Sequence, residues 1–448
     1  MADEHYDVAI IGAGVTGNAL SYALAKYTDL GSIAIFDKYP RVAPVSSRST
    51  NNSQTLHFGD IETNYSLAKA AKVKRAADMV VRYLEGTKGL DGVFLKKQKM
   101  VLAVGDKEVA ELETRHAELR GLFPGLRKLD RAGLAATEPA VIEGRSPSAP
   151  VLGLQSDDGY IVNFEKLSQS FLDQATRAGR AEISVRLGQT VTAIEKSGDG
   201  YLVRASDGDV RARAVVVAAG AHSLLMAHRM GFGHEYSMIP VVGNFYLAPN
   251  RLNGKVYTVQ EKKLPFAALH ADPDINDASV MRFGPVSKAL PILEPRNWRT
   301  APDFFRILRP DVDLIRSFIA INTEPILAKF IVNSFLYDVP VIGFRRFVAD
   351  ARKIIPAIRA DALRFGAMIG GIRPQVVNKK ERKLQMGEAK IVGDGIIFNI
   401  TPSPGATVCL KNAEEDMLTL MRFFGGRFKI DEAAFAADFS RLPDALQE

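Results

Sequence analysis

The chain has 448 residues, 47% hydrophobic and 24% charged, with one cysteine and a formal net charge of +7. A single cysteine, Cys409, excludes an internal disulfide framework and argues against a cysteine-based metal site, so no metal is expected. The excess of cations suits anionic small molecules or an anionic membrane surface better than nucleic acid, since no long Lys/Arg run or recognition motif is present.

The opening residues, MADEHYDVAIIG, run straight into a strand pattern without a basic leader, and a cytoplasmic location is expected. Tyr6 to Ile11 read as a buried strand. Gly12, Gly14 and Gly17 follow as GxGxxG, then a helical pattern through Tyr27, then a second apolar strand ending on Asp37. Gly12 permits the tight turn, Gly14 lets the backbone approach a pyrophosphate, and Gly17 lets the helix pack against the strand. The helix N-terminus offers free N–H groups to phosphates, and Asp37 can accept from a ribose hydroxyl.

The next stretch, NNSQTLHFGDIETNY (residues 51–65), crowds amides, hydroxyls, His57 and two acids together. It reads either as a solvated loop or as the wall of a site. Residues 66–123 are predicted helical with a strand at Val93 to Val104, and residues 128–141 form a small helix and loop. Residues 183–223 carry three alternating strands with turns at SGDG and SDGD. This meander is a common completion of an FAD-binding Rossmann domain: Val191 would meet the adenine, and Ala219 and Gly220 would pass near the cofactor. One early glycine motif with no second copy favours FAD and a separate substrate domain over a flavin–nicotinamide pair.

From Tyr236 to Arg282 the strand pattern returns and predicts an antiparallel sheet, in which Tyr246 and Tyr257 are candidate pocket residues. Residues 302–362 are predicted mainly helical. Within them the apolar stretch 317–344 is broken by Glu324, Pro325, Lys329 and Asp338, too often for a span of about 20 apolar residues. Basic residues from Arg296 to Arg359 interleave there with Phe304, Phe305, Ile307, Leu308, Ile315, Phe318 and Ile319, a pattern suited to a membrane interface. The segment FGAMIGGIRPQVV sets Arg373 behind a double glycine. GIIFNITPSPGAT then predicts strand, turn and helix, with Thr401 and Ser403 as caps and Gly405 leaving room for a flat ring. The fold class is α/β: a Rossmann-like FAD-binding domain from residues 1–85, 151–235 and 363–448, and an α+β substrate domain from 86–150 and 236–362.

The stretches NNSQTLHFGDIETNY, KVYTVQEKKLPFAALHADPD, VMRFGP, GGIRPQVV, RKLQMGEAKI and ITPSPGAT resemble the FAD-dependent family of D-amino-acid oxidase and the 2-hydroxy-acid dehydrogenases. More narrowly the chain resembles the short form of the malate:quinone oxidoreductases, over nearly its whole length. The resemblance implies oxidation of L-malate to oxaloacetate by FAD, with electrons passed to membrane quinone by an enzyme peripheral on the inner face of the cell membrane. Arg373 matches the family's C-terminal arginine and is the expected carboxylate clamp, with Arg282 as a second. His270 is the preferred base, and His57 is its competitor. Asn51, Asn52, Ser53 and Gln54 are expected to reach flavin or substrate oxygens, and Ser403, Pro404, Gly405 and Ala406 to meet the flavin. Gln54 and Tyr246 are further substrate candidates, and Glu62 and Asn64 would support the wall. The alternatives are a flavoenzyme of the same fold acting on lactate, 2-hydroxyglutarate or an amino acid, and a non-catalytic FAD-binding module.

Overall fold

The computed structural model describes residues 4–261, 268–323, 325, 334, 336, 337, 339, 341–385, 389–401 and 404–439. The chain opens with β1 (His5–Ile11), α1 (Val15–Tyr27) and β2 (Ser32–Asp37). A polar loop leads to α2 (Leu67–Gly86), β3 (Phe94–Val104), α3 (Asp106–Leu119), β4 (Arg127–Leu129), α4 (Arg131–Thr137) and α5 (Pro139–Ile142). Next come β5 (Val151–Val162), α6 (Phe164–Ala178), β6 (Glu182–Leu187), β7 (Val191–Ser197), β8 (Gly200–Ala205), β9 (Val210–Val217) and α7 (His222–Arg229). β10 (Tyr236–Pro249), β11 (Lys255–Thr258), β12 (His270–Pro273) and β13 (Val280–Ala289) precede α8 (Ala301–Leu308), α9 (Val312–Thr323) and α10 (Ile342–Ile354). The last elements are β14 (Arg364–Asn378), β15 (Lys383–Leu384), β16 (Ala389–Gly393), β17 (Ile396–Ile400), α11 (Cys409–Phe423) and α12 (Glu432–Asp438).

One sheet has the order β16-β17-β9-β1-β2-β6, with the β7–β8 hairpin attached through β8 to β9. β1 pairs in parallel with β2 and β9, so it is central and both its faces are covered. Its side chains divide by alternation. Val8 and Ile10 join Ala19, Leu20, Ala23 and Leu24 of α1 in one core. Tyr6, Ala9 and Ile11 join Val215, Val217 and Leu224 in the other. Burying an aliphatic side chain of this kind contributes about 1.5–3 kcal/mol. Gly12 and Gly17 make the turn between β1 and α1 possible. Gly12 has φ +117°, and a Cβ there would meet the Ala218 carbonyl at 2.4 Å; one on Gly17 would meet the Gly12 carbonyl at 2.0 Å.

The second sheet has the order β15-β14-β10-β13-β12-β11-β3-β5-β4. It departs from the antiparallel expectation at β11–β3, which pair in parallel. It also takes in two strands that sequence reading grouped with the nucleotide-binding region. β5 pairs along its length with β3, and β14 runs antiparallel along β10 from Arg364 opposite Leu247 to Asn378 opposite Tyr236. These are the longest strands in their parts of the chain, and such a backbone is satisfied only by a partner of similar length. Behind this sheet, Phe347, Val348, Ala351 and Ile354 of α10 bury against Met100, Leu102, Met281 and Phe283.

The basic, amphipathic stretch divides. Ile307 and Leu314 are buried, Phe304 packs on the core, and Leu308 and Phe318 pack beside Val377. Phe305, Val312, Ile315 and Ile319 are exposed. Among the described residues no helix is long and apolar enough to cross a membrane.

Candidate active site

A cavity of about 620 Å³ lies between the two sheets. It runs from the C-terminal ends of β1, β2 and β9 to the loop 51–57, Arg373 and the turn 404–407.

At one end are Gly12, Gly14, Asp37, Val191, Ala219 and Gly220, as the sequence predicts. Asp37 accepts from the backbone N–H groups of Ala13 and Tyr39, both at 2.9 Å, and burial raises its pKa. Gly14 is the N-cap of α1 and has no side chain to cap with; the Ser47 hydroxyl accepts from Val15 N–H at 3.1 Å, and the positive end of the helix dipole faces the cavity. A Cβ on Gly14 would find only the Ser47 hydroxyl, at 3.6 Å, so the backbone stays approachable from the cavity. Gly17 packs away from the cavity, in the role expected of it.

At the other end the loop after β2 forms a wall. Asn51, Asn52, Ser53, Thr55 and His57 all line the cavity. The two asparagines shape the loop with their side chains rather than leaving them free: Asn51 Nδ2 donates to the Val45 carbonyl and Asn52 Nδ2 to those of Ser46 and Arg48. His57 Nδ1 lies 2.5 Å from Glu62 Oε1, and the other Glu62 oxygen accepts from Gly59 N–H at 2.8 Å. Burial pushes the Glu62 pKa up, but its hydrogen bond to His57 and the nearby charge of Lys99 help to outweigh burial and hold it below the ordinary value. The His57 backbone N–H is fixed by the Thr407 hydroxyl at 3.1 Å. Asn64 also has a partner.

β14 brings Gly371, Ile372, Arg373 and Pro374 into the cavity. The approach is close: a Cβ on Gly371 would fall 1.8 Å from the Asn51 carbonyl. Among the described residues, no carboxylate or carbonyl pairs with the Arg373 guanidinium, and burial lowers its pKa. Pro404, Gly405, Ala406 and Thr407 complete this end. The helix that follows starts at Cys409 with Val408 as N-cap and no side-chain cap, so Thr401 lines the cavity instead of capping. Ser403 lies outside the described residues.

Five predicted residues are placed elsewhere, among them Tyr257, which is buried outside the cavity lining with its hydroxyl 2.7 Å from that of Thr55. His270 is 1% exposed and does not line the cavity; its ring stacks on Tyr257 and its Nδ1 sits 2.5 Å from Asp272 Oδ2. Burial lowers its pKa, although the carboxylate opposes this. Arg282 is 2% exposed, its Nε bound to Asp274 and its Nη1 to the Ser49 and Asn52 carbonyls, so its fork is spent on structure. Gln54 is similarly consumed, donating to the Ser49 carbonyl and accepting from Ile275 N–H. Tyr246 stacks on Phe347 at 3.9 Å, on the face away from the cavity that its neighbour Phe245 lines. Sequence reasoning missed Thr407, Thr55 and Phe245. Thr407 sits in the ITPSPGAT stretch and Thr55 in the NNSQTLHFGDIETNY stretch, both already singled out, whereas nothing local marks Phe245.

A Rossmann strand–turn–helix, an acid at the end of β2, a helix N-terminus facing the cavity and a long cavity ending at a histidine and an arginine fit FAD and define a flavin-dependent oxidoreductase. The family model of FAD dependent oxidoreductases matches residues 7–409. A probable malate:quinone oxidoreductase of Campylobacter jejuni is 40% identical over 443 residues, covering 96% of this chain and 99% of that protein. The malate:quinone oxidoreductase of Helicobacter pylori is 37% identical over 451 residues, covering 99% of each. Among solved structures, FAD-bound L-alpha-glycerophosphate oxidase of Mycoplasma pneumoniae superposes with a TM-score of 0.64 at 17% identity, over 95% of this chain and 96% of that one. Glycine oxidase of Geobacillus kaustophilus gives 0.64 at 18% identity, over 99% and 100%. The chain belongs to the FAD-dependent oxidoreductase family and, within it, to the malate:quinone oxidoreductases.

Proposed function

We propose that the protein oxidises L-malate to oxaloacetate and delivers the electrons to a membrane quinone. The observation that carries this reading is Arg373, which lines the same cavity as His57 and has no anion to neutralise it among the described residues. A partly buried cation of this kind is costly unless a ligand carboxylate completes it. A planar fork suits one carboxylate of a 2-hydroxy acid, held bidentately. Bound FAD supplies the hydride acceptor.

His57 is the base in this reading. An ionised Glu62 accepts from Nδ1–H, which leaves Nε2 as a neutral acceptor for the substrate hydroxyl proton. Glu62 holds the ring at Nδ1 and Thr407 holds the His57 backbone N–H, so the proton is taken at a fixed point. Malate itself, rather than a monocarboxylate, is suggested by the relatives' names. Among the described residues Arg373 is the one cation lining this end, and Lys262 and Lys263 lie outside them.

Membrane contact would come from the exposed apolar residues of α8 and α9 and the outer end of β14, where Phe365 is 55% and Met368 62% exposed. Arg299, Arg306, Arg316 and Arg364 lie in the same segments, and each cation near an anionic leaflet contributes about 1 kcal/mol.

The test is anaerobic mixing of the yellow holoprotein with L-malate, D-malate, L-lactate and 2-hydroxyglutarate, followed by a quinone analogue. Bleaching of the flavin by L-malate first and fastest is expected. A flavin that L-malate leaves oxidised would end this reading, and preference for another acid would move it to that substrate.

A further inference from the structure

The cavity end farthest from Arg373 carries polar machinery that substrate oxidation does not use. The segment after β13 crosses from the second sheet and brings Leu293, Glu294 and Asp303 into the same lining as Asp37. Glu294 is 4% exposed. Its carboxylate is 2.6 Å from Lys38 Nζ and accepts from Tyr39 OH at 2.5 Å and Asn297 Nδ2 at 2.8 Å. Lys38 and Tyr39 directly follow Asp37, the ribose-reading position of this fold. The segment is internally tied, since the Thr300 hydroxyl accepts from Leu293 N–H at 3.0 Å and donates to the Asn297 carbonyl at 2.7 Å.

A second anchor lies toward the flavin end. Arg296 of the same segment donates to Asn51 Oδ1 at 2.7 Å and to the Gly370 carbonyl at 3.2 Å. The segment is thus fastened both to β2 and to the site wall. Opposite it, His222 lines the cavity with a buried Nε2 that has no hydrogen-bond partner, 3.7 Å from Asp303. Burial leads the causes that bring the His222 pKa down to about 4, so the ring is neutral at ordinary pH and can hydrogen-bond a neutral hydroxyl or base edge.

We propose that residues 293–303 are a clasp over the adenosine half of FAD, pinned by Glu294 to Lys38 and Tyr39, and that this pin sets how long the cofactor stays bound. The inference rests on FAD being the occupant and is independent of which acid is oxidised. A strand-end acid and a glycine turn hold a dinucleotide from one side only. A clasp from the second sheet closes the other side, and release then requires breaking an ion pair whose carboxylate is buried and whose lysine reaches solvent. Breaking such a pair is felt chiefly in the dissociation rate.

The experiment follows FAD release from the holoprotein by recovery of flavin fluorescence on dilution, with far-UV circular dichroism recorded in parallel. Glu294→Gln and Lys38→Met are each expected to release FAD about tenfold faster or more, with the circular dichroism unchanged. The double variant should be no faster than Glu294→Gln alone, because the two changes remove one interaction. Release within about twofold of the parent in both single variants, or a double variant showing the product of the two effects, overturns the clasp. So does flavin loss that coincides with loss of secondary structure. Tyr39→Phe removes only a hydroxyl; if the charge variants fail to fold, a release rate equal to the parent's in this variant refutes the pin.

Discussion

Replacing Arg373 tests the substrate clamp and the physical reason for it together. Each hydrogen bond to a charged group is worth about 1.5–3 kcal/mol. Arg373→Lys keeps the charge but loses the planar fork, and so about one such bond. That corresponds to a fall in kcat/KM of roughly 10- to 150-fold. Arg373→Met loses both bonds, for a fall on the order of 10²–10⁴. The assay is the anaerobic rate of flavin reduction against malate concentration. Stability should move the other way. Because no described protein anion pairs with this cation, an apolar side chain relieves a desolvation cost, and the Met variant should melt at or above the parent temperature. A Lys variant within about twofold of the parent kcat/KM would refute the clamp. A Met variant that melts lower yet reduces its flavin normally would show a structural arginine instead.

Arg282→Met should behave in the opposite sense: it strands Asp274 in the interior and costs about 3–5 kcal/mol of stability by denaturant titration, while the folded fraction keeps its KM. His57→Asn should slow flavin reduction by about 10²–10⁴, and His270→Asn should change it far less, since of the two His57 alone reaches the cavity. Glu62 has a pKa depressed below the ordinary 4.5, so its pair with His57 stabilises the fold above that pH and the contribution is lost as pH falls through the depressed value. Thermal melts below pH 4.5 should therefore drop more steeply for the parent than for Glu62→Gln. Sedimentation with anionic vesicles should weaken with added salt and with Ile315→Asp; equal binding to neutral vesicles would remove the electrostatic part of the membrane reading.

What could be read from the sequence was what local pattern encodes. The turn Gly12–Gly17, Asp37 and the meander from Val191 to Gly220 are fixed by short-range geometry and lie where expected. The polar run 51–65 was ambiguous by composition, and the fold resolves it as a cavity wall at five positions. Strand histidines and arginines were not legible in the same way. His270 and Arg282 look like site residues until their partners are seen: Asp272 two residues on, and Asp274 eight residues back, across adjacent strands. Tyr246 and Phe245 differ by one position, and alternation assigns one to the cavity and the other to the opposite face. Which parity faces inward is decided by the pairing of β10 with β13 and β14, interrupted by a bulge between Asn244 and Tyr246. No window of sequence contains that pairing.

β14 also works as a ruler. Its outer end exposes Phe365 and Met368, and its inner end places Arg373 in the cavity. Arg373 lies five positions after Met368, at most about 16 Å of strand. With the outer end resting on lipid, a quinone ring would have to climb that distance while its tail stayed in the bilayer. The strand would then set the shortest tail that can serve, making the reaction selective for the length of its electron carrier as well as for its redox ring.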